Sequence, residues 1–343
     1  MQTKAILLAF AGITAFALGL AYFGKDSDAH LTKFERMAKE INSKNLSWTA
    51  VSKPTLPIAE ENLNGYFNLI IDPVPEEFDQ KPASKLTVSD LPERFDAREQ
   101  WPNCESIREV RDQSSCGSCW AFGAATAMSD RVCIHSGQKD QRRISTEDLL
   151  ECCIICGMGC NGGFLYTTWL QWKTFGIVTG GLYQDTKWCK PYAFPPCNHH
   201  SAGPYEDCSK YHFDTPKCQK KCENASYSKT YDQDKIKAAS VYKVAGEQDL
   251  MKDLVENGSV EAAIMVYEDF LLYKGGVYTH TTGNFLGGHA IRIIGYGVEN
   301  GVKYWLCVNS WNDSWGEKGT FKFLRGTNHC GIEGNIVAGL PQL

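Results

Sequence analysis

No cysteine precedes Cys104, although the 343-residue chain carries 15 of them. The N-terminal stretch therefore joins no disulfide framework and can be ordered only by packing. A surplus of charge is missing too: 22% of residues are charged and the net charge is −5. That balance excludes the basic face of a nucleic-acid binder and a polybasic membrane anchor. No internal repeat is visible, which sets aside solenoids and propellers. Only one long apolar run exists, from Ala5 to Phe23, preceded by Lys4 and containing Gly19-Leu20-Ala21 as a small-residue cleavage point. It reads as a secretory signal peptide over residues 1–21 rather than a membrane span, so stable membrane association is not expected after cleavage. Export through an oxidising compartment makes disulfides the default fate of the cysteines. Sequons at Asn45, Asn224 and Asn257 agree with secretion, whereas Asn312, set among tryptophans, is expected to be inaccessible.

Residues 22–90 form a distinct segment. Phe34, Met37 and Ile41 have helical spacing, but the stretch from Pro54 to Pro82 is loop-like and proline-dotted. It is either a spacer or a removable pro-segment. From Leu91 onward cysteine, glycine and tryptophan become dense. Helices are expected from Cys119 to about Ser136, with Ser118 as N-cap, from Ser145 to Cys152, and from Glu247 to Glu256 before Asn257-Gly258. Residues 181–235 are irregular. Ala290–Tyr296, Val302–Val308 and Gly319–Leu324 read as strands. The first half of the core, about 91–240, is thus helix-led and the second, about 241–343, strand-led.

Within Gln113-Ser-Ser-Cys-Gly-Ser-Cys-Trp-Ala-Phe122 two cysteines stand three apart. A redox pair would open a compact βαβ unit, and no convincing strand precedes this one. Zinc would need four ligands, for which Cys152, Cys153, Cys156 and Cys160 are candidates, but secretion favours oxidation. The third reading ties Cys116 elsewhere and leaves Cys119 free in the first helical turn, where N–H groups and the helix dipole favour a thiolate. Such a nucleophile needs a base and an orienter. His289 follows Gly287-Gly288 at the mouth of an apolar strand, and Asn309 ends the next one, before Trp311.

These motifs, with Cys160-Asn-Gly-Gly163, strongly resemble the papain-like cysteine peptidases from about Leu91 to the C-terminus. The resemblance implies an α+β, papain-like fold, a helical left domain and a β-barrel-like right domain with the active-site cleft between them. It implies Cys119 as nucleophile, His289 as its proton partner, Asn309 as orienter of the imidazole, and Gln113 with the Cys119 N–H as oxyanion hole. Trp311 would shield the Asn–His hydrogen bond. Gly162, Gly163, Gly288, Ala290 and Asn335 would line the substrate cleft. No cofactor and no metal is expected.

Cys119 and His289 stand about 170 residues apart, beyond the roughly 130–150 usual in the family. The excess lies around Cys189-Lys-Pro-Tyr-Ala-Phe-Pro-Pro-Cys-Asn-His-His200, which resembles the occluding loop of cathepsin B, over about 189–222. That likeness implies a C-terminal dipeptide-removing activity beside endopeptidase action, with His199 and His200 taking the substrate carboxylate. Asp112 would pair with His199, and histidine protonation near pH 5–6 would favour exopeptidase action. The implied disulfides are Cys104–Cys133, Cys116–Cys160, Cys152–Cys218, Cys153–Cys156, Cys189–Cys222 and Cys197–Cys208, leaving Cys307 and Cys330 open. Tyr205 stands where the subfamily has a latch arginine, so the loop is expected to be held less firmly. Asn335 stands where a glutamate often floors the S2 pocket, which should weaken acceptance of arginine at P2. Asn45–Ala50 is similar to a cathepsin B-type prosegment, making 22–90 an inhibitory propeptide. Tyr304–Glu317 partly resembles a pattern described in peptidases of blood-feeding worms, departing at Val308 and Ser314, which would suit a gut lumen as well as a lysosome. Expected partners are peptide or protein substrates, the propeptide and cystatin-type inhibitors, around a monomer. The competing class is a catalytically silent secreted binding or matrix relative, which typically lacks the nucleophile.

Overall fold

The computed structural model describes residues 31–52, 67–71 and 79–343. The signal peptide expected at 1–21 lies outside the described residues.

The first element, helix α1 (Lys33–Ser43), begins with a capping box: Glu35 N–H donates to Thr32 Oγ1 at 3.2 Å, and Thr32 N–H to Glu35 Oε2 at 2.8 Å. Its face of Phe34, Met37, Ala38 and Ile41 is buried. Helix α2 (Cys119–His135) follows, almost wholly buried, then α3 (Thr146–Cys152), α4 (Leu165–Thr174) and α5 (Glu247–Asn257). Ser145 caps α3 through its hydroxyl, and Gly258 ends α5 at φ 89°. Ser118 occupies the cap position of α2, but its hydroxyl turns to Tyr192 Oη at 3.1 Å and caps nothing.

The strands are β1 (Trp48–Ala50), β2 (Phe95–Asp96), β3 (Ala238–Val244), β4 (Val260–Tyr267), β5 (Tyr273–Tyr278), β6 (Phe285–Glu299), β7 (Val302–Val308), β8 (Thr320–Leu324) and β9 (Ile336–Pro341). They follow the order β1-β5-β8-β7-β6-β4-β9-β3, with β2 paired to β6. The path is open, so among the described residues the sheet of the barrel-like half does not close. β3 straddles the expected boundary near residue 240 and pairs with β9 over Ala238–Val244.

Two apolar cores result. One fills the sheet and takes in α1; the other surrounds α2 and includes Cys119, Ala263, Ala290 and Val337. Buried ion pairs fasten α2 to the sheet half: Arg131 to Asp253, and Asp130 to Arg292 at 2.7 Å. Removing one partner of such a pair strands the other charge, at a cost of roughly 3–5 kcal/mol. The helix carrying Cys119 is therefore held in register with the strand carrying His289. All six implied disulfides are present. Cys152, Cys153, Cys156 and Cys160 are thus oxidised, which removes the zinc reading, and Cys116 bonds Cys160, which removes the redox pair. Cys119, Cys307 and Cys330 remain free.

Candidate active site

Cys119 opens α2 with its side chain fully buried. The disulfide to Cys160 and the bond from Gly117 N–H to the Cys160 carbonyl, 3.0 Å, fix the preceding loop. Gln113 is pinned on three sides. Its N–H reaches the Ser310 carbonyl at 2.9 Å, its Oε1 accepts from Ser310 Oγ at 2.6 Å, and its Nε2 donates to the Cys116 carbonyl at 2.9 Å. Tyr192 Oη holds the Gln113 carbonyl at 2.9 Å. A side-chain amide next to a helix N-terminus is thereby preorganised as a donor pair for an oxyanion.

His289 Nε2 and Asn309 Oδ1 are 2.8 Å apart. Since Oδ1 only accepts, Nε2 carries the hydrogen and Nδ1 keeps its lone pair; Nδ1 is buried and makes no hydrogen bond among the described residues. Trp311 covers this bond, its ring 5.2 Å from the imidazole. The backbone N–H of Ala290, the residue after His289, acts to lower the Cys119 pKa. Ala290 pairs in the sheet with Ala263, whose N–H donates to the Asn335 carbonyl at 3.0 Å. Ala290 on β6 and Asn335, just before β9, thus meet Ala263 of β4 from its two sides.

Their charge states differ from the sequence expectation. Burial, with a smaller contribution from Glu261, pushes the Cys119 thiol up to about 12, against the lowering effect of the Ala290, Trp120 and Cys119 N–H groups. Burial pulls His289 down to about 4, with Asn309 acting in the opposite sense and His199 reinforcing the fall. The helix N-terminus does not produce a thiolate here, because desolvation outweighs it. The pair is thiol and neutral imidazole.

The cover is the chain's own N-terminal segment. Phe67 stands edge-on to His289 and to Trp311, each at 5.8 Å between ring centres. Leu69 N–H donates to the Gly288 carbonyl at 3.1 Å, and Ile70 N–H to the Gly163 carbonyl at 3.0 Å. Leu69 is buried in the same core as Cys119. Residues 68–70 thus run as a strand between Gly163 and Gly288, in the manner of β-augmentation. Close approach requires glycine on both walls: a Cβ at Gly162 would come 2.0 Å from the Asn68 carbonyl oxygen, and one at Gly288 would come 2.6 Å from that of Leu69.

At the other end lies the 189–222 loop. His199 Nε2 meets Asp112 Oδ1 at 2.8 Å, and its ring stacks on Trp311 at 5.9 Å. His200 lies edge-on to Trp311 at 5.3 Å. The two histidines are thus gathered over the indole that shields the Asn–His bond. Burial first and His199 second lower the His200 pKa, so this ring stays neutral near pH 5–6 in the covered state, contrary to the expected protonation. Tyr205, at the arginine position, is 41% exposed and hydrogen-bonds Asn198 through its backbone N–H and carbonyl.

Four residues escaped sequence reading: Ser310 and Tyr192, which brace Gln113; Glu261, buried beneath α2 with Oε2 2.7 Å from Trp169 Nε1; and Asn312, treated above only as a sequon. Glu261 alone had a signal, as a single carboxylate in an apolar run. Asn312 is 5% exposed with its amide engaged inside the protein. Among the other sequons, Asn45 is exposed, whereas Asn257 donates its amide to Asp253 at 2.9 Å and Asn224 to the Thr186 carbonyl at 2.8 Å.

Residues 91–340 match the model of the papain family cysteine protease. A cathepsin B-like cysteine proteinase of Caenorhabditis elegans is 52% identical over 256 residues, covering 74% of this chain and 68% of that protein. One of Schistosoma japonicum is 50% identical over 252 residues, covering 73% of each. Among solved structures, a procathepsin B from Trypanosoma congolense superposes with a TM-score of 0.76 at 36% identity, covering 91% of this chain and 99% of its own. A digestive procathepsin L of Tenebrio molitor shares the fold at a TM-score of 0.64 and 20% identity, over 91% and 94% of the two chains.

Proposed function

The chain belongs to the papain family of cysteine proteases as a cathepsin B-like zymogen, and from that premise we propose the following assignment of roles. The observation that carries it is the strand at residues 68–70 between Gly163 and Gly288, with Phe67 edge-on to His289 and Leu69 buried in the core that holds Cys119. Residues 22–90 act as the inhibitory propeptide and 91–343 as the peptidase. Phe67 excludes water from the imidazole, and the apolar cover keeps both reacting groups neutral.

Once the segment is cleaved and leaves, water and a peptide replace it. The proton of the Cys119 thiol moves to His289 Nδ1, giving thiolate and imidazolium. The substrate strand takes the backbone groups of Gly163 and Gly288 that Leu69 and Ile70 now use. The thiolate attacks the scissile carbonyl carbon, and the oxyanion accepts from the Cys119 N–H and the Gln113 side-chain amide. Each donor is worth roughly 3–4 kcal/mol. Imidazolium then protonates the leaving amine at Nδ1, and water hydrolyses the thioester with the same nitrogen as base. Asn309 holds the ring through Nε2–H in every step.

His199 and His200 close the primed end, so a free C-terminal carboxylate two residues beyond the scissile bond is the favoured occupant. Burial and the neighbouring His199 favour the neutral form of His200 in the zymogen. Asn335 near Ala263 leaves no acid for a P2 arginine. The secretory route, lysosomal or extracellular delivery, and cystatin-type inhibition follow from the same reading.

The test is acid activation of the full chain, followed by cleavage of a peptide carrying a free C-terminal carboxylate and of its amidated twin. Dipeptide release from the free acid alone, lost in His200→Ala, with an epoxysuccinyl label on Cys119, is the expected result. Equal activity of His200→Ala and wild type on both peptides would sink the carboxylate-capture role. A P2-Arg to P2-Phe ratio as high as in glutamate-bearing relatives would sink the role of Asn335.

A further inference from the structure

We propose that Asn312 is the residue that seats the 189–222 loop on the body of the enzyme, and so sets the balance between dipeptide removal and internal cleavage. The inference rests on the reading of that loop as the cap of the primed end.

Two short segments pair under the loop. Gln113 N–H donates to the Ser310 carbonyl at 2.9 Å and Asn312 N–H to the Arg111 carbonyl at 3.2 Å, with Asp112 opposite Trp311. One end of this pairing carries Gln113 beside Asn309; the other carries Asp112 beside Asn312. Asn312 Nδ2 donates to Asp112 Oδ2 at 2.7 Å and to the Cys197 carbonyl at 2.8 Å. Cys197 N–H donates to the same Asp112 Oδ2 at 3.2 Å. The amide, the carboxylate and the Cys197 backbone groups therefore close a ring of three hydrogen bonds. Asn312 Oδ1 accepts from Ser314 N–H at 2.9 Å and from the Ser314 hydroxyl, which fixes which end of the amide faces the loop. The backbone at Asn312 is left-handed, φ 52°, a conformation asparagine adopts more readily than most residues.

Holding Cys197 holds the rest of this part of the loop. Cys197 is bonded to Cys208, Asn198 N–H donates to the Glu206 carbonyl at 2.8 Å, and the Asn198 amide ties the Gly203 and Tyr205 carbonyls. His199 and His200 follow directly on this braced unit. Gly203 lies against Ser314, where a Cβ would approach the hydroxyl to 2.8 Å, so the far edge of the unit rests on the residue that orients Asn312. With tyrosine at the arginine position, the seat falls to Asp112 and Asn312. The Asp112–His199 contact gains charge assistance only when the imidazole is protonated; the amide contacts of Asn312 need no proton. A glycan on Asn312 Nδ2 would displace one of its two donors, so the closed loop and an occupied sequon exclude each other.

The experiment compares Asn312→Gly, which keeps the backbone conformation, and Asn312→Asp, which sets a carboxylate against Asp112, with wild type. Epoxysuccinyl titration of the activated enzymes counts folded sites, and the free-acid and amidated peptides are then assayed. Loss of two hydrogen bonds should lower kcat/KM on the free-acid peptide about tenfold in Asn312→Gly, mostly through KM, while cleavage of the amidated peptide rises. Asn312→Asp should go further in the same direction. Unchanged ratios in both variants, in an assay where His199→Ala does shift the ratio, would overturn the proposal. Unchanged ratios in His199→Ala and His200→Ala as well would overturn the cap reading on which it stands. An equal fall on both peptides through kcat would show Asn312 supporting the reaction centre and also overturn it. Peptide mass mapping of the wild-type enzyme should find Asn312 unglycosylated, and a glycan there in active exopeptidase would count against the latch.

Discussion

The cleft is closed at both ends by segments that anchor in the cores, Leu69 in the one that holds Cys119 and Cys197 with Cys208 in the sheet core, but by different means. Over the non-primed side, residues 68–70 use backbone N–H groups on the Gly163 and Gly288 carbonyls. Over the primed side, the loop uses side chains: His199 on Asp112, and Asn312 on Asp112 and Cys197. A backbone strand between glycine walls fits almost any peptide, so the same place serves inhibitor and substrate, and only its removal starts catalysis. A side-chain latch is adjustable, and on the proposed reading it would shape which substrates enter.

The largest expected effect separates the reaction centre from both closures. Cys119→Ala should cut peptidase activity by roughly 10⁵–10⁶-fold and leave the N-terminal segment uncut in acid, read by product assay and gel shift. Next, Gln113→Ala should lower kcat by roughly 10²–10³-fold on free-acid and amidated peptides alike, because the oxyanion forms whichever end is bound. A change in the ratio of the two activities would break the separation of Gln113 from its neighbour Asp112.

The pH dependence follows from His289. Its pKa in the covered state is about 4, against an ordinary 6.5. The stabilisation from burying a neutral ring is complete above that ordinary value and is lost as pH falls toward about 4. The Cys119 thiol, shifted upward, gives no acid-side effect. The segment should therefore loosen between pH 6.5 and about 4, seen as lower hydrogen-exchange protection at Leu69 and Ile70, after correction for the intrinsic pH dependence of exchange, and as faster trimming. Protection independent of pH across that window would remove His289 from the release. The smallest effect is at the far end of the same segment: Thr32→Ala should cost about 1 kcal/mol of α1 stability through its capping box, measured as a modest rise in neutral-pH leak activity.

Much of this was legible in advance. Helix α2 runs from Cys119 to His135 where Cys119 to about Ser136 was expected, and β7 spans Val302–Val308 as read. Local signals sufficed: an alanine-rich run after Ser118, and a short strand bounded by turn residues. By contrast, β3, β4 and β9 were not read, and β6 runs from Phe285 to Glu299, beyond the expected Ala290–Tyr296. Strand extent depends on partners far along the chain, and β4 joins β6 and β9 over separations that no window covers. In sequence Asn312 shows only as a sequon, because a short Asn-x-Ser motif carries no sign of the contacts its amide makes.

Residue identities alone, through their likeness to a family, determined the chemistry available here: a thiol at a helix start, an imidazole, an amide to orient it, a second amide for the oxyanion, and six cysteine pairs. What only the tertiary structure decided is the state of those groups. Whether Cys119 and His289 carry charge depends on how much water reaches them, and that depends on Phe67 and Leu69, some fifty and more than two hundred residues away in sequence. Desolvation is a property of the assembled fold, as is the meeting of Asn312 with Cys197.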